Sequence, residues 1–250
     1  MPKKQAQTKH VVVNHNDVRP CVAFMFEAEL AAATDGFSHA CCIGAGGLGS
    51  VYMAAGLQGL AFDESHFAVK KLDITGMSRG GHIQLLQDIQ TMGACRHENL
   101  VPLLAFSAHH CASERHVCLV MPLMQGGSLE DLIALDTDAE RRLKLVSGTP
   151  IREFAPLTWQ QRLVVGLGAI TGLEYLHTPD LHAYKPALVH GNLKPSNMLL
   201  DLYGNVRLAD MGLARELADG FVDRQCTCPG RIDEAGDGYG RVVKLNSCVN

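Results

Sequence analysis

Gly44-Ala45-Gly46-Gly47-Leu48-Gly49 places four glycines in six residues, and its flanks restrict the fold more than any other stretch of the chain. Glycine permits turns and close backbone approaches that a Cβ forbids. Such a run closes a dinucleotide-binding turn when a helix follows it, with phosphate at the helix end. Here Ser50-Val51-Tyr52-Met53-Ala54-Ala55 follows and Ile43 precedes, which is a strand pattern on both sides. The run therefore reads as a glycine hairpin, either a flap over phosphates or a hairpin without a ligand. Phe67 to Leu72 reads as the next strand and carries Lys70 within Ala68-Val69-Lys70. An ammonium on a stiff strand grips phosphate oxygens as a point charge. Alone such a lysine is a solvated surface residue; in order behind a glycine hairpin it points to phosphate.

The rest of the first half is strand-rich with little helix. Phe24 to Ala33 reads as a short amphipathic helix stopped near Asp35-Gly36. Leu85, Ile89 and Met92 recur at spacings of four and three, which predicts a helix. Val101 to Phe106 and Val117 to Met121 read as two further strands. The character then changes. Gly126-Gly127-Ser128 is a break, Leu129 to Ile133 a short helix, and the charged stretch 135–156 a loop. Thr158-Trp159-Gln160-Gln161 has capping-box form. The helix behind it is expected to align Leu163, Leu167, Ile170, Leu173 and Leu176 on one face. Short strands surround Leu199-Leu200 and Val206-Arg207-Leu208, and no clear period remains from Ala218 onward.

Composition narrows the function class. The 250 residues carry a net charge of −4, which argues against a strongly basic nucleic-acid binder and a polybasic membrane anchor. The longest apolar run, Leu163 to Leu173, is eleven residues, against the roughly 20 that span a bilayer. No secretory leader is visible, and the nine cysteines form no CxxC pair, so reduced thiols and a cytoplasmic protein are expected, with recruitment to a membrane receptor open. His109, His110, Cys111, His116 and Cys118 crowd ten residues, but the spacing suits a histidine-bearing hairpin better than zinc. Cys41-Cys42 reads as buried thiols, Arg141-Arg142 as solvated surface, and Cys226-x-Cys228 as part of an unpatterned tail.

The second half supplies His190-Gly191-Asn192-Leu193-Lys194-Pro195-Ser196-Asn197 and, thirteen positions after Asn197, Asp210-Met211-Gly212. Asn197 and Asp210 are oxygen donors suited to Mg2+, and Lys194 is placed to neutralise a transferring phosphoryl group. Glycine hairpin, strand lysine, His-x-x-x-Lys-x-x-Asn and Asp-x-Gly, in that order, resemble a protein kinase over about residues 24–215. Glu29-Leu30-Ala31-Ala32-Ala33-Thr34-Asp35-Gly36-Phe37-Ser38, His97-Glu98-Asn99-Leu100-Val101, Leu157-Thr158-Trp159 and Leu199-Leu200-Asp201 make the resemblance closest to interleukin-1-receptor-associated, Pelle and plant receptor-like kinases. It implies an α+β, bilobal fold: a complete small lobe (antiparallel sheet plus one helix) and a truncated, mostly helical large lobe. The implied organisation is a tail over 1–23, small lobe and hinge over 24–124, partial large lobe over 125–215 and an irregular tail over 216–250. The implied ATP site takes in Ile43, Gly44, Ala45, Gly46, Gly47, Leu48, Gly49, Val51, Ala68, Lys70, Asp88, Met121 as gatekeeper, Pro122 and Met124. Adenine would use the Pro122 carbonyl and the Met124 N–H, and Asn197 and Asp210 would hold Mg2+.

The departures from the family carry as much as the matches. Asn192 stands where the family's catalytic Asp belongs, and an amide orients a hydroxyl but has no basic oxygen to take its proton. Gly191 replaces an Arg that meets a phosphorylated activation loop in the family. Asp88 stands where a helix Glu pairs with the strand lysine, and is shorter by one carbon, about 1.5 Å of reach. After Leu213-Ala214-Arg215 no activation segment, Ala-Pro-Glu signature or further large helices are recognisable, so apolar surface on the helix from Trp159 is expected to be exposed. The expected function is ATP and Mg2+ binding within an intracellular signalling complex, with impaired phosphotransfer for which Asn192 and Lys194 are the catalytic-loop residues. The alternatives are an active Ser/Thr kinase and a piece of a longer chain that does not fold alone. Protein partners are expected, and neither nucleic acid nor membrane insertion is.

Overall fold

The computed structural model describes residues 22–47, 49–60, 65–110, 115–148, 156–180, 185 and 187–211. A small lobe is built around a six-stranded sheet: β1 (Ala23–Phe24), β2 (Cys42–Gly46), β3 (Gly49–Ala55), β4 (His66–Asp73), β5 (Ala105–His110) and β6 (Arg115–Pro122), in spatial order β1-β5-β6-β4-β3-β2. All pairings are antiparallel except β1 with β5. Strand alternation sorts the side chains of β6 to two faces. Cys118 and Val120 join Phe67, Val69 and Leu30 in one cluster. Val117 and Leu119 join Leu85, Ile89 and Met92 of α2 (Arg79–Ala94) in the other. One face is thus covered by α1 (Glu27–Ala33) and the other by α2.

Two expected boundaries shift. The helix expected from Phe24 starts at Glu27, because Ala23 and Phe24 spend their backbone groups on a parallel ladder, with Met25 N donating to Phe106 O at 2.9 Å. The strand expected from Val101 starts at Ala105. Pro102 has no N–H to give a ladder, and Val101 N instead donates to Leu208 O at 2.9 Å, tying this crossing segment to the large lobe.

The large lobe contains a three-stranded sheet, β7 (Gly127–Ser128), β8 (Met198–Leu200) and β9 (Val206–Leu208), with α3 (Leu129–Ala134), α4 (Thr137–Ser147) and α5 (Trp159–His177). The loop expected over 135–156 is corrected by α4. Asp136 caps it, accepting from Ala139 N at 2.8 Å, and Gly148 ends it at φ 69°. Its inward residues Ala139 and Leu143 are fully buried.

The expected exposure of apolar surface on α5 is present, but the five residues expected on one face divide, with Leu176 buried and Leu173 half-buried. Val165, Ala169, Gly172 and Leu176 point into the core, while Leu163, Leu167 and Ile170 are 53–67% exposed. Close approach to β9 decides this. A Cβ on Gly168 would sit 2.7 Å from Val206 Cγ1, and one on Gly172 would sit 2.9 Å from Asn99 O. The small residues must therefore face inward. No described helix is long and apolar enough to cross a membrane. Residues 1–21 of the expected N-terminal tail, Leu48, Cys111, the expected C-terminal tail with its Cys226-x-Cys228 pair, and everything from Gly212 lie outside the described residues.

Candidate functional site

A cleft of about 440 Å³ opens between the lobes. The glycine hairpin forms its roof. The β2–β3 register pairs Ala45 with Ser50 and Gly46 with Gly49, which is the flap geometry expected from the flanking strands. Gly49 has φ 126°, and a Cβ there would fall 2.1 Å from Lys71 O, so only glycine fits. Ile43, Gly44, Ala45, Val51, Ala68, Lys70, Met121, Pro122, Met124, Lys194, Asn197 and Asp210 line this one cavity. Gly46, Gly47, Gly49, Asp88 and Asn192 do not line it.

Lys70 is brought beneath the flap by the β3–β4 register, opposite Val51. It is 5% exposed, and its Nζ lies 2.6 Å from Asp210 Oδ2. Asp210 is held at φ 62°, an uncommon conformation that non-glycine residues adopt where the surroundings dictate it. The partner expected for Lys70, Asp88, accepts from Gln84 Nε2 at 3.2 Å on its own helix instead. Burial pushes the Asp88 carboxyl above the usual range, against that hydrogen bond. Among the described residues, the ion pair of Lys70 is with Asp210.

The loop from His190 to Asn197 forms the floor. Asn197 is buried; its Nδ2 donates to Asn192 O at 2.8 Å and its backbone O accepts from Ala209 N at 2.9 Å. These bonds lock the two segments that carry Asn197 and Asp210 side by side and leave the Asn197 amide oxygen for a ligand. Asn197 Oδ1 and the Asp210 carboxylate are hard oxygen donors of the kind Mg2+ takes. Asn192 N donates to His190 Nδ1 at 3.3 Å. His190 is 2% exposed, and burial lowers its pKa, with the Asp210 charge opposing. Gly191 adopts φ 73°, a conformation in which glycine replaces an ordinary side chain without strain.

Sequence reasoning missed the front of the cleft. Ser128, Asp131 and Arg142 line it. The Ser128 Oγ accepts from Asp131 N at 3.0 Å, a cap that the Ser-x-x-Asp spacing signals. Asp131 Oδ1 then accepts from Arg142 Nε at 2.9 Å and Nη2 at 2.6 Å. Arg142, expected as solvated surface, is corrected to a paired group, and that hydrogen bond raises its pKa. Of the His109, His110, Cys111, His116 and Cys118 cluster, only the side chains of His116 and Cys118 fall among those described. His116 is buried and pairs with Glu27 Oε1 at 2.7 Å, and Cys118 is a buried thiol pushed up to about 12. Cys41 and Cys42 are half-buried free thiols, not fully buried ones.

Residues 37–229 match the model of the protein kinase domain. Protein BRASSINOSTEROID INSENSITIVE 1 of Arabidopsis thaliana is 34% identical over 188 residues, 75% of this chain and 13% of that protein. Serine/threonine-protein kinase BRI1-like 2 of the same plant is 35% identical over 188 residues, 75% of this chain and 14% of that protein. This chain therefore spans a small part of these relatives' length. Among solved structures, the pseudokinase domain of BIR2, an immune regulator of the RLK/Pelle family, is 29% identical with a TM-score of 0.51, over 89% of this chain and 54% of that one. An apo pseudokinase at 19% identity shares the fold with a TM-score of 0.58, over 85% of this chain and 65% of that one.

Proposed function

The chain belongs to the protein kinase domain family, and from that premise we propose that it binds ATP with Mg2+ in the interlobe cleft, transfers phosphate weakly or not at all, and acts in signalling through protein partners. Asn192 carries this reading. The loop around it is well held, through Asn197 Nδ2 to Asn192 O and Asn192 N to His190 Nδ1. What it lacks is chemical: the amide has no basic oxygen to receive the substrate proton. General-base catalysis contributes ~10²–10⁴-fold, so a deficit of that order is expected. The likeness to the BIR2 pseudokinase domain supports a role resting on binding. The likeness to plant receptor kinases supports a place on the cytoplasmic side of a membrane receptor.

In the cleft, the apolar Ile43, Val51, Ala68 and Met121 form walls suited to a flat base, and Lys70 and Lys194 supply positive charge for phosphates. Asn197 and Asp210 are the residues that would hold Mg2+, which would screen charge between the phosphates. We take 24–124 as small lobe and hinge and 125–215 as the large-lobe part. The second reading, an active Ser/Thr kinase, is favoured by Lys70, Lys194, Asn197 and Asp210 facing one cavity, since positioning and electrostatics supply most of the catalysis in phosphoryl transfer.

Thermal unfolding with ATP, with and without Mg2+, tests binding, and a raised Tm is expected. Phosphotransfer by the wild type, Asn192→Asp and Lys70→Met separates the two readings. The first expects a weak wild type that gains activity in Asn192→Asp. A vigorous wild type, unchanged by Asn192→Asp and abolished by Lys70→Met, selects the second.

A further inference from the structure

The helix α4 reaches both lobes at the mouth of the cleft. Its hold on the large lobe is apolar and ionic. Leu143 is fully buried over Gly127, where a Cβ would fall 2.3 Å from Leu143 Cδ2. Beside it, Arg142 grips Asp131 Oδ1 through two nitrogens, at 2.9 and 2.6 Å. Asp131 is 6% exposed and also accepts from Ser128 Oγ at 2.8 Å, so this carboxylate joins β7, α3 and α4 at one buried point. On its other side α4 packs against β2, the first strand of the glycine flap. A groove on the outer side of the flap is lined by Gly44, Ala45 and Tyr52 together with Asp138, Arg141 and Arg142. Gly44, Ala45 and Arg142 line the cleft as well. Arg142 is thus part of the wall between the two spaces, beside the flap backbone.

We propose that α4 is a latch that ties the glycine flap to the large lobe across the cleft mouth, and that Arg142 is its positioning residue. A two-pronged contact from a planar guanidinium to a buried carboxylate fixes the side chain in one geometry. The helix is closed at both ends by its own caps, Asp136 and Gly148. A ligand entering under the flap must wait for the latch to part, and one already inside is held until it does. The inference rests on the nucleotide-binding reading only for the identity of that ligand.

Two measurements on the full chain test it. Hydrogen–deuterium exchange of the flap amides, residues 43–51, is read without nucleotide, and release of N-methylanthraniloyl-ATP is read by stopped flow. Arg142→Gln is expected to speed flap exchange and nucleotide release by roughly tenfold each, the scale of one hydrogen bond to a charged group. Lys144→Gln, an exposed change on the same helix, is expected to match the wild type in both. Arg142→Gln strands the Asp131 carboxylate. The double change Asp131→Asn/Arg142→Gln removes that charge, and Arg142→Lys keeps the cation but loses the fork; both are expected to keep the flap fast. A folded Arg142→Gln or Arg142→Lys protein with wild-type flap exchange overturns the latch. A wild type that binds no nucleotide overturns the nucleotide reading, while the exchange result still decides the latch.

Discussion

His190 illustrates how one side chain ties stability to the site. Its imidazole is buried beside the loop that carries Asn192, and burial disfavours the charged form. The folded pKa therefore lies below that of the unfolded chain, about 6.5. Stability contributed by neutral His190 is fully present above that value and is lost as pH falls through it toward the folded pKa. Urea midpoints taken between pH 7.5 and 5.5 are expected to drop more steeply for the wild type than for His190→Phe; parallel slopes would refute this. At the same scale, Asn192 and Gly191 were readable as departures from the residue types alone, because their chemistry is intrinsic to the side chain. The pairing of Lys70 was not, because it depends on which carboxylate the fold delivers, and it delivers Asp210.

At the scale of elements, the glycine hairpin is the part most fully specified by local chemistry. Gly49 has φ 126° and no room for a Cβ against the Lys71 carbonyl, whereas a Cβ at Gly47 would meet nothing within 4 Å. Gly49→Ala is expected to cost about 2 kcal/mol of strain, lowering Tm by about 4–8 °C at this size. Gly47→Ala is expected to leave Tm unchanged, and calorimetry of the two variants checks the contrast. α4 escaped the sequence reading for a physical reason. Its buried positions Ala139, Leu143 and half-buried Val146 do follow helical spacing, but they are spread through a charged stretch that resembles a loop. The capping residues Asp136 and Gly148 were the available signal. α5 is apolar nearly all round, so the spacing of its leucines did not separate buried from exposed positions, and the close contact with Asn99 and β9 chose the glycine side.

Across the whole molecule, the outward face of α5 gathers several exposed large apolar side chains. Trp159 is 70% exposed and Leu167 67%, with Leu163, Val164 and Ile170 beside them. Contiguous apolar surface of this kind favours association. Leu163→Gln/Leu167→Gln is expected to shift unfolding stability by only about 0.5 kcal/mol per site and to reduce self-association in sedimentation velocity. A large loss of stability instead would mean that these side chains are packed. The ordered motifs made the two-lobed kinase fold and most of the cleft lining legible before any coordinates. Each motif needs a particular backbone or charge, and together they admit few folds. By itself the sequence determined the glycine flap, the strand lysine, the Asn–Asp pair and the amide at Asn192, since these reside in residue type and local spacing. Only the tertiary structure decided that Lys70 meets Asp210, that small residues of α5 face inward, and that Arg142 closes the cleft front on Asp131. Those outcomes are settled by contacts between segments far apart in the chain, where close packing and the burial of charge admit one partner and exclude the others.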